Sequence, residues 1–271
     1  MQKLLILQNL WGMDRLRGQA DRDLAGNVAH IADGGFDGFS YTWFEREDAR
    51  RTADPGKAHG LIYEVRSLAH DIDSQKPVLE WGTEFGVHQI SIQTQARPRR
   101  LGDVVAILEG WQRLAEQVDF AVNIETHRGG MTNDLLVTLD LLEAVPSLRL
   151  TADISHYVVG REIGLPVAPE TDTQLHEILR HAEAYHGRVA SSEQVQVSLS
   201  FAHARPWIEL FQTWWRFGFA DWRARSGPDA KPTFLCELGP QPYAIAGADG
   251  EELTDRWEES LLLRDLARTC W

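Results

Sequence analysis

The sequence predicts an α/β protein folded as a single (β/α)8 barrel. Apolar runs of strand length alternate with amphipathic helical segments along nearly the whole chain. Such alternation indicates parallel strands joined by right-handed crossovers. Eight predicted strands in 271 residues match a barrel of this kind, which typically needs about 250 residues. No linker rich in Pro or Ser divides the chain, so residues 1–271 are predicted to form one domain.

Short apolar runs that are bounded by polar or turn residues predict the strands. In chain order they are residues 4–7, 36–41, 77–81, 88–93, 120–127, 148–154, 185–190 and 233–238. The third and fourth runs lie too close together for a full helix between them, which is the one link that fits a barrel badly. The rival is an open doubly wound sheet, but the first strand is not followed by the G-x-G-x-x-G signature of dinucleotide binding.

Segments with apolar residues three or four positions apart predict the helices. In chain order they are residues 22–33, 61–73, 101–118, 132–142, 173–183, 206–225 and 253–270. Gly34 and Gly35 end the first helix. Thr132, Asn133 and Asp134 cap the N-terminus of the fourth helix, and Pro146 follows its C-terminus. The polar segment 44–55 predicts only a loop or a broken helix.

Composition limits the classes of partner and the compartment. With 27 Lys and Arg against 40 Asp and Glu, the formal net charge is −13, which disfavours nucleic acid or an anionic membrane as the main partner. Only two cysteines, Cys236 and Cys270, indicate a reducing compartment without a disulfide framework. The apolar run near the N-terminus is too short for a signal peptide, and no run approaches a membrane span. We therefore expect a soluble cytoplasmic protein.

Residue types that bind metals stand at the ends of the last four predicted strands: Glu125, Asp153, His186 and Glu237. The C-terminal strand ends of such a barrel converge on one face, where active sites form. Three carboxylates brought together repel one another, which raises their pKa values unless a cation is present. Oxygen ligands with one imidazole suit Mn²⁺, Mg²⁺ or Co²⁺, with Zn²⁺ as a further option. The alternative is four separate salt-bridged or solvated residues.

The same positions carry a resemblance to a known family. The segments NIETHRGGMTND (123–134), LTADISHYVVGRE (150–162), YHGRVASSEQVQ (185–196) and FLCELGPQPY (234–243) resemble the xylose-isomerase-like TIM barrel superfamily, and more closely its sugar phosphate isomerase/epimerase branch. The resemblance covers strands five to eight well, whereas strands one to four match only in the spacing of strands and helices. It implies one divalent metal ion held by Glu125, Asp153, His186 and Glu237.

The resemblance also implies substrate contacts for His156 and Arg188, while Ala184 stands where the family often carries a further His. Read from the residues alone, His156 could instead cap a helix or support a ligand. Arg188 could point outward among helices rather than clamp a substrate oxygen or carboxylate in a forked geometry. His127 could bind substrate or pair with a loop carboxylate such as Asp134. Gln93 could donate a hydrogen bond to a polyol or lie among surface groups.

Together with the metal-binding residues, the resemblance implies a metal-dependent isomerase or epimerase of a sugar or keto-sugar. An ion coordinated by two adjacent substrate oxygens would polarise the carbonyl and stabilise the enediolate that follows proton loss. In the related epimerases, the residues that match Glu125 and Glu237 move the proton. The same metal site would also serve a lyase or dehydratase that acts on a keto-inositol or a 3-keto-glycoside.

Two further alternatives remain open. An AP-endonuclease-like phosphodiesterase would need extra histidines and an Asp-x-His pair after strand seven, where this chain has Phe201-Ala-His203. A non-catalytic barrel subunit would fit the many aromatic residues of helix 206–225. These residues fall on more than one helical face, which predicts exposed aromatic surface and therefore a homo-oligomer or a partner subunit.

Overall fold

The computed structural model describes all 271 residues, Met1–Trp271. Its eight strands form a closed parallel barrel in sequence order, so that each strand pairs with the next and β8 pairs with β1. The strands are β1 Leu5–Asn9, β2 Gly38–Thr42, β3 Ile62–Ser67, β4 Gln89–Ile92, β5 Ala121–Glu125, β6 Leu150–Ala152, β7 Ala182–Gly187 and β8 Thr233–Cys236. The predicted (β/α)8 barrel is confirmed.

Nine α-helices surround the barrel. They are α1 Leu24–Asp33, α2 Arg46–Ala58, α3 Lys76–Phe85, α4 Leu101–Ala115, α5 Leu135–Ala144, α6 Ser155–Gly160, α7 Pro169–Arg180, α8 Arg205–Arg225 and α9 Arg256–Cys270. Asp134 caps α5 by accepting hydrogen bonds from two backbone amides of its first turn, as the sequence indicates. None of the helices combines the length and the hydropathy that a membrane span requires.

Two element predictions are wrong, and they are linked. Residues 61–73, predicted as a helix, contain the third strand, whereas residues 77–81, predicted as the third strand, lie inside α3. In β3 the apolar Tyr63 and Val65 are buried, while Glu64 between them points into the barrel and contacts His186 of β7. The alternation of apolar and polar residues in β3 is short, and the apolar residues of the longer segment 61–73 also match a helical repeat, which favoured the helix. With the third strand at 62–67, α3 fits between it and β4, and the connection that was too short for a barrel is no longer present.

The segment 44–55 is also more regular than predicted, because α2 runs without a break through Pro55. The buried face of α2 carries only small residues, Ala49, Thr52, Ala53 and Gly56. A helix with such a face has little apolar periodicity, which explains the missing signal. A capping box between Glu45 and Asp48 fixes its start.

Polar side chains fill much of the barrel interior. Gln89 donates a hydrogen bond to the hydroxyl of Thr233 across the barrel at 2.8 Å. The same amide donates to Glu64. Ser91 and Asn123 are also buried within their strands. The apolar core lies between the strands and the surrounding helices, so the barrel itself is free to carry polar groups toward its C-terminal face.

Helix α8 packs most of its aromatic residues inward, and Trp207 and Phe217 are partly buried. Phe211, Trp214, Trp215, Phe219 and Trp222 are all buried. The rings of Trp215 and Phe219 pack against Phe234 of β8 in edge-to-face geometry. The prediction of exposed aromatic surface on this helix is wrong for these five residues. Oligomerisation stays a prediction that this helix no longer supports.

The close contact between β2 and β3 gives a stability prediction. A Cβ atom added to Gly38 would lie 2.2 Å from the carbonyl oxygen of Ile62, which is a backbone atom that cannot rotate away. We expect Gly38→Ala to lower the free energy of unfolding by about 1–3 kcal/mol in urea titrations. Gly227→Ala is the control, because nothing lies within 4 Å of its added Cβ. Equal stability of the two variants would contradict this packing.

Candidate active site

The four predicted metal-binding residues lie at or directly after the ends of the last four strands, at the C-terminal face of the barrel. Glu125 is the last residue of β5, His186 lies near the end of β7, and Asp153 and Glu237 come directly after β6 and β8. All four are almost completely buried. A desolvated set of three carboxylates and one imidazole needs compensating charge, because buried ions without partners cost several kcal/mol.

His186 is the centre of this set. Its Nδ1 lies 3.3 Å from Oε2 of Glu237 and 3.7 Å from Oε1 of Glu125. Its Nε2 lies 2.8 Å from Oε1 of the buried Glu64 on β3. Because a carboxylate oxygen only accepts, Nε2 carries the proton that it donates to Glu64. In neutral His186, the lone pair of Nδ1 therefore faces Glu125 and Glu237.

Asp153 adjoins this group through Arg188. One oxygen of Asp153 accepts hydrogen bonds from the amide and the hydroxyl of Ser155, and the other lies 3.7 Å from Nη2 of Arg188. The same Nη2 lies 2.7 Å from Oε2 of Glu237 in an ion pair whose angles are not those of a hydrogen bond. Glu125, His186 and Glu237 are thus close enough to one another to bind a single metal ion. The guanidinium of Arg188 lies between Asp153 and Glu237.

Burial and neighbouring charge shift the pKa values of the site in opposite directions. Burial raises the pKa of Asp153 to about 7, although Arg188 opposes this shift. Burial also favours the neutral forms of His186 and Glu237, but here neighbouring charges prevail. The carboxylates of Glu64 and Glu237 raise the pKa of His186 well above its usual value, and Arg188 with His186 holds the pKa of Glu237 well below its usual range. Burial lowers the pKa of His156, so its ring is neutral.

The donor set fits a divalent ion. Four buried atoms make no hydrogen bond: Oε2 of Glu125, Oδ2 of Asp153, Nδ1 of His186 and Oε2 of Glu237. The ion pair with Arg188 compensates the charge of Glu237 only in part, and a cation bound by the four atoms would satisfy all of them. Two ligand atoms about 2.1 Å from one ion lie roughly 3.0–3.4 Å apart in octahedral or tetrahedral geometry. The observed separations of 3.3 and 3.7 Å around Nδ1 of His186 are close to these values.

The predicted substrate residues surround the same set. The ring of His156 is fully buried and has no hydrogen-bond partner at either nitrogen. Its centroid lies 4.1 Å from the ring centroid of His127. Nδ1 of His127 accepts the amide proton of Gly129, and the amide nitrogen of Gln93 lies 3.1 Å from its Nε2. Asp134 instead pairs with Arg161 at 2.8 Å, so the expected alternative partner of His127 is engaged elsewhere.

Arg188 points inward and is 2% exposed. Its Nε donates to the carbonyl oxygen of Glu237 at 3.0 Å, and its guanidinium lies 5.0 Å from the ring centroid of Tyr243. Tyr243 also packs against Trp11, and with Arg128 it lines a cavity of about 430 Å³ at the barrel mouth. Most of its lining lies in the four segments after β5 to β8 that carry the resemblance, but none of these lining residues was predicted as a site residue.

Comparisons with known proteins agree with this geometry at the level of the fold. Neither a family model nor a curated protein sequence matches the chain. A xylose isomerase-like TIM barrel protein from Mycobacterium smegmatis, in complex with magnesium, is 11% identical with a TM-score of 0.64 over 98% of this chain and 97% of that one. The chain has the xylose-isomerase-like barrel fold.

Two further solved structures are similar to this chain in fold. The D-allulose 3-epimerase from Methylomonas sp. in complex with D-allulose is 12% identical, with a TM-score of 0.62 over 100% of this chain and 98% of that one. A sugar phosphate isomerase/epimerase from Parabacteroides distasonis ATCC 8503 is 9% identical, with a TM-score of 0.63 over 100% and 96% of the two chains. At such identities the likeness establishes the fold, and the chemistry rests on the site itself.

Within this xylose-isomerase-like barrel, Glu64 and Arg66 are the neighbours of the site that the sequence did not predict. Glu64 binds His186, and Nη1 of Arg66 lies 3.6 Å from Oε1 of Glu237. Both residues belong to β3, which was predicted as part of a helix because the apolar residues of 61–73 match a helical repeat. The short alternation of Tyr63 and Val65 with Glu64 and Arg66 was the only available signal.

Proposed function

We propose that this chain is a divalent-metal-dependent isomerase or epimerase that removes a proton alpha to the carbonyl of a sugar or keto-sugar. One observation carries the proposal. Glu64 binds Nε2 of His186 and thereby directs the unpartnered Nδ1 toward Glu125 and Glu237. Structures of the same fold that hold magnesium or D-allulose support it.

Glu125, His186 and Glu237 would hold the ion directly, and Asp153 would complete the set once the guanidinium of Arg188 has moved from between Asp153 and Glu237. The oxygen-rich set suits Mn²⁺, Mg²⁺ or Co²⁺, and Zn²⁺ is also compatible with it. The bound ion would supply the Lewis acidity that makes the alpha-proton of the carbonyl compound removable.

Glu125 and Glu237 both approach Nδ1 of His186, from β5 and β8, and these two strands flank β6 and β7 in the barrel. One side chain, as a carboxylate, would take the alpha-proton of the substrate, and the other, as a carboxylic acid, would return a proton from the other side, as inversion of a stereocentre requires. His156 is neutral and makes no hydrogen bond, although its Nε2 lies 3.5 Å from Oδ2 of Asp153, so its ring can donate to or accept from a substrate hydroxyl. Arg188 would bind substrate oxygens with its forked guanidinium.

The proposal is tested by metal analysis and isotope exchange. We expect the purified protein to contain about one divalent ion per chain. The metal-loaded protein should incorporate deuterium from D₂O into one member of a panel of ketoses, keto-inositols and 3-keto-glycosides. Exchange that persists after complete chelation would contradict the proposal. Release of an aglycone or of water would instead indicate a lyase on the same site.

Metal binding should also stabilise the fold. A ligand at 100 times its Kd that binds only the folded state adds about 2.7 kcal/mol to the free energy of unfolding. We expect Mn²⁺ at that concentration to produce this increase in urea titrations and chelation to remove it. Asp153→Asn should reduce the increase, because it removes the charge of one ligand. An equal increase in wild type and Asp153→Asn would place the ion elsewhere.

A further inference from the structure

The inner face of strands β4, β5 and β6 carries short polar side chains close to the candidate metal centre. Glu125 points into the barrel, where its Oε1 lies 3.7 Å from Nδ1 of His186. Asn123, two residues earlier on β5, therefore has the same orientation. Ser91 of β4 pairs in register with Asn123, and Thr151 of β6 pairs with Glu125. Because residues that pair across parallel strands share a face, Ser91, Asn123 and Thr151 all point into the barrel interior.

Each of these three side chains has a buried polar atom without a hydrogen-bond partner: Oγ of Ser91, Nδ2 of Asn123 and Oγ1 of Thr151. Ser91 and Thr151 are 0% exposed, and Asn123 is 2% exposed. Buried donors and acceptors without partners cost free energy, so a cluster of them indicates a bound polar molecule. A metal ion does not meet this need, because the amide nitrogen of Asn123 donates hydrogen bonds and offers a cation no lone pair.

The side chains beside this cluster are small. Ala184 of β7 is fully buried and pairs in register with Thr151. Ala121 begins β5, two residues before Asn123 on the same face. The interior of such a barrel is usually filled by layers of bulky branched residues. Alanine, serine and threonine take up less volume, and the polar groups among them make the interior suitable for water, which needs two to four polar partners.

A cavity of about 760 Å³ approaches the same cluster from the opposite end of the barrel, and we call it the N-terminal cavity. Gln89 and Ala121, at the starts of β4 and β5, and Pro232, just before β8, belong to its lining. Asn123 lines it as well, so the cavity extends up to the cluster. From Asn123 to Glu125 the strand rises by about 6.6–6.8 Å. One or two water molecules cover that distance with hydrogen bonds of about 2.8 Å.

We propose that the barrel interior binds a short chain of ordered water molecules, which joins the N-terminal cavity to Glu125 and carries protons between them. Ser91, Asn123 and Thr151 would hold these waters by their unpartnered atoms. The water site stands on these three side chains and on the cavity, whereas the transport of protons rests on the proposed function of Glu125. A substrate at the barrel mouth would cover Glu125 from the C-terminal side, so the chain of waters would keep it in contact with solvent.

The proton balance of this relay is simple. The carboxylic acid of Glu125 gives its proton to the adjacent water, which passes one of its own protons to the next water. The solvent in the N-terminal cavity gains one proton, and Glu125 becomes a carboxylate. The same steps in reverse return a proton to Glu125. No bond to carbon forms or breaks in the relay, and it needs no oxidant or reductant.

The water site is tested by a crystal structure at atomic resolution and by ¹⁷O magnetic relaxation dispersion, which counts long-lived internal waters. We expect ordered water within hydrogen-bonding distance of Nδ2 of Asn123 and Oγ1 of Thr151. Asn123→Leu/Thr151→Val keeps the approximate size of both side chains but removes their polar groups, so it should hold fewer long-lived waters. Absence of water at all three unpartnered atoms, or an unchanged count in the double variant, would overturn the water site.

Ser67→Ala is the matched control for these variants. Ser67 is another buried residue of the barrel, at 1% exposure, but it follows the inward-facing Arg66 and therefore points away from the interior. Its hydroxyl donates to Gln75 at 2.6 Å. The control thus removes a buried strand hydroxyl outside the cluster, and we expect it to leave the number of internal waters unchanged.

The relay is tested by isotope exchange during turnover of the sugar that the exchange panel identifies. In D₂O, the ratio of deuterium incorporation to net conversion should fall several-fold in Asn123→Leu/Thr151→Val, because Glu125 then returns to carbon the proton that it removed. Ser67→Ala should keep the wild-type ratio. Ser91→Ala should lower the ratio in the same direction, and it serves if the double variant does not fold. A structural defect alone lowers both rates together, so an unchanged ratio would overturn the relay.

The two proposals fail in different ways. Metal-dependent proton exchange in a protein without water at Ser91, Asn123 or Thr151 would reject this inference and leave the proposed function intact. Ordered water at these side chains, without proton exchange in any sugar, would reject the proposed function and leave the water site.

Discussion

Glu125→Gln and Glu237→Gln are each expected to lower the rate of deuterium exchange by roughly 10²–10⁴-fold, the range that general acid–base catalysis contributes. Each amide keeps the shape of the side chain and one oxygen that can bind an ion, but it cannot accept the alpha-proton. The substrate should therefore still bind, while kcat falls and KM changes little. Exchange is measured by mass spectrometry after metal content has been checked by elemental analysis.

Glu80→Gln is the control for this loss, because Glu80 is an exposed residue of α3 and lies outside the site. It removes one carboxylate from the same chain and should leave the exchange rate unchanged. Near-normal exchange in either site variant, with a full complement of metal, would show that the assigned carboxylate does not move the proton.

Glu64→Gln is expected to raise the Kd for the divalent ion roughly 10–100-fold, as loss of a carboxylate partner does at other metal-binding histidines. Glu64 is fully buried and lies 2.8 Å from Nε2 of His186. Its charge fixes the proton on Nε2 and makes Nδ1 a better donor to a cation. A neutral amide provides neither effect. Glu64 thus acts as a positioning residue through His186.

Two measurements separate this role from a general effect on folding. Metal affinity is obtained by competition with a chelator of known Kd, and ¹⁵N NMR reports which nitrogen of His186 carries the proton. Thr233→Val is the control, because it removes the hydroxyl that Gln89 contacts within the same barrel interior without touching His186. If Glu64→Gln changed neither the metal affinity nor the tautomer of His186, Glu64 would not position His186 and would only fill space in the barrel interior.

The sequence predicted the barrel because seven of its strands carry apolar runs between clear helical segments. It also predicted the arrival of Glu125, Asp153, His186 and Glu237 at one face, since parallel strands of a closed barrel must end together. That inference needed only the positions of these residues in their strands. It did not depend on any contact between them.

Contacts between side chains of distant strands were beyond prediction. Glu64 and His186 lie 122 positions apart, and their pairing depends on barrel closure and on the register of β3, which the sequence left undefined. The position of the Arg188 guanidinium between Asp153 and Glu237 likewise depends on the conformation of its long side chain after β7. The burial of the α8 aromatics depends on the rotation of that helix on the barrel. A helical repeat fixes the spacing of side chains but not the face that meets the strands.

Anomalous diffraction from crystals grown with Mn²⁺ tests the metal centre most directly. We predict a single strong anomalous peak within coordination distance of Nδ1 of His186 and of carboxylate oxygens of Glu125 and Glu237, with Asp153 as the fourth protein ligand. A protein that binds Mn²⁺ elsewhere, or that keeps the guanidinium of Arg188 between Asp153 and Glu237 at saturating Mn²⁺, would contradict the proposed metal centre and the chemistry built on it.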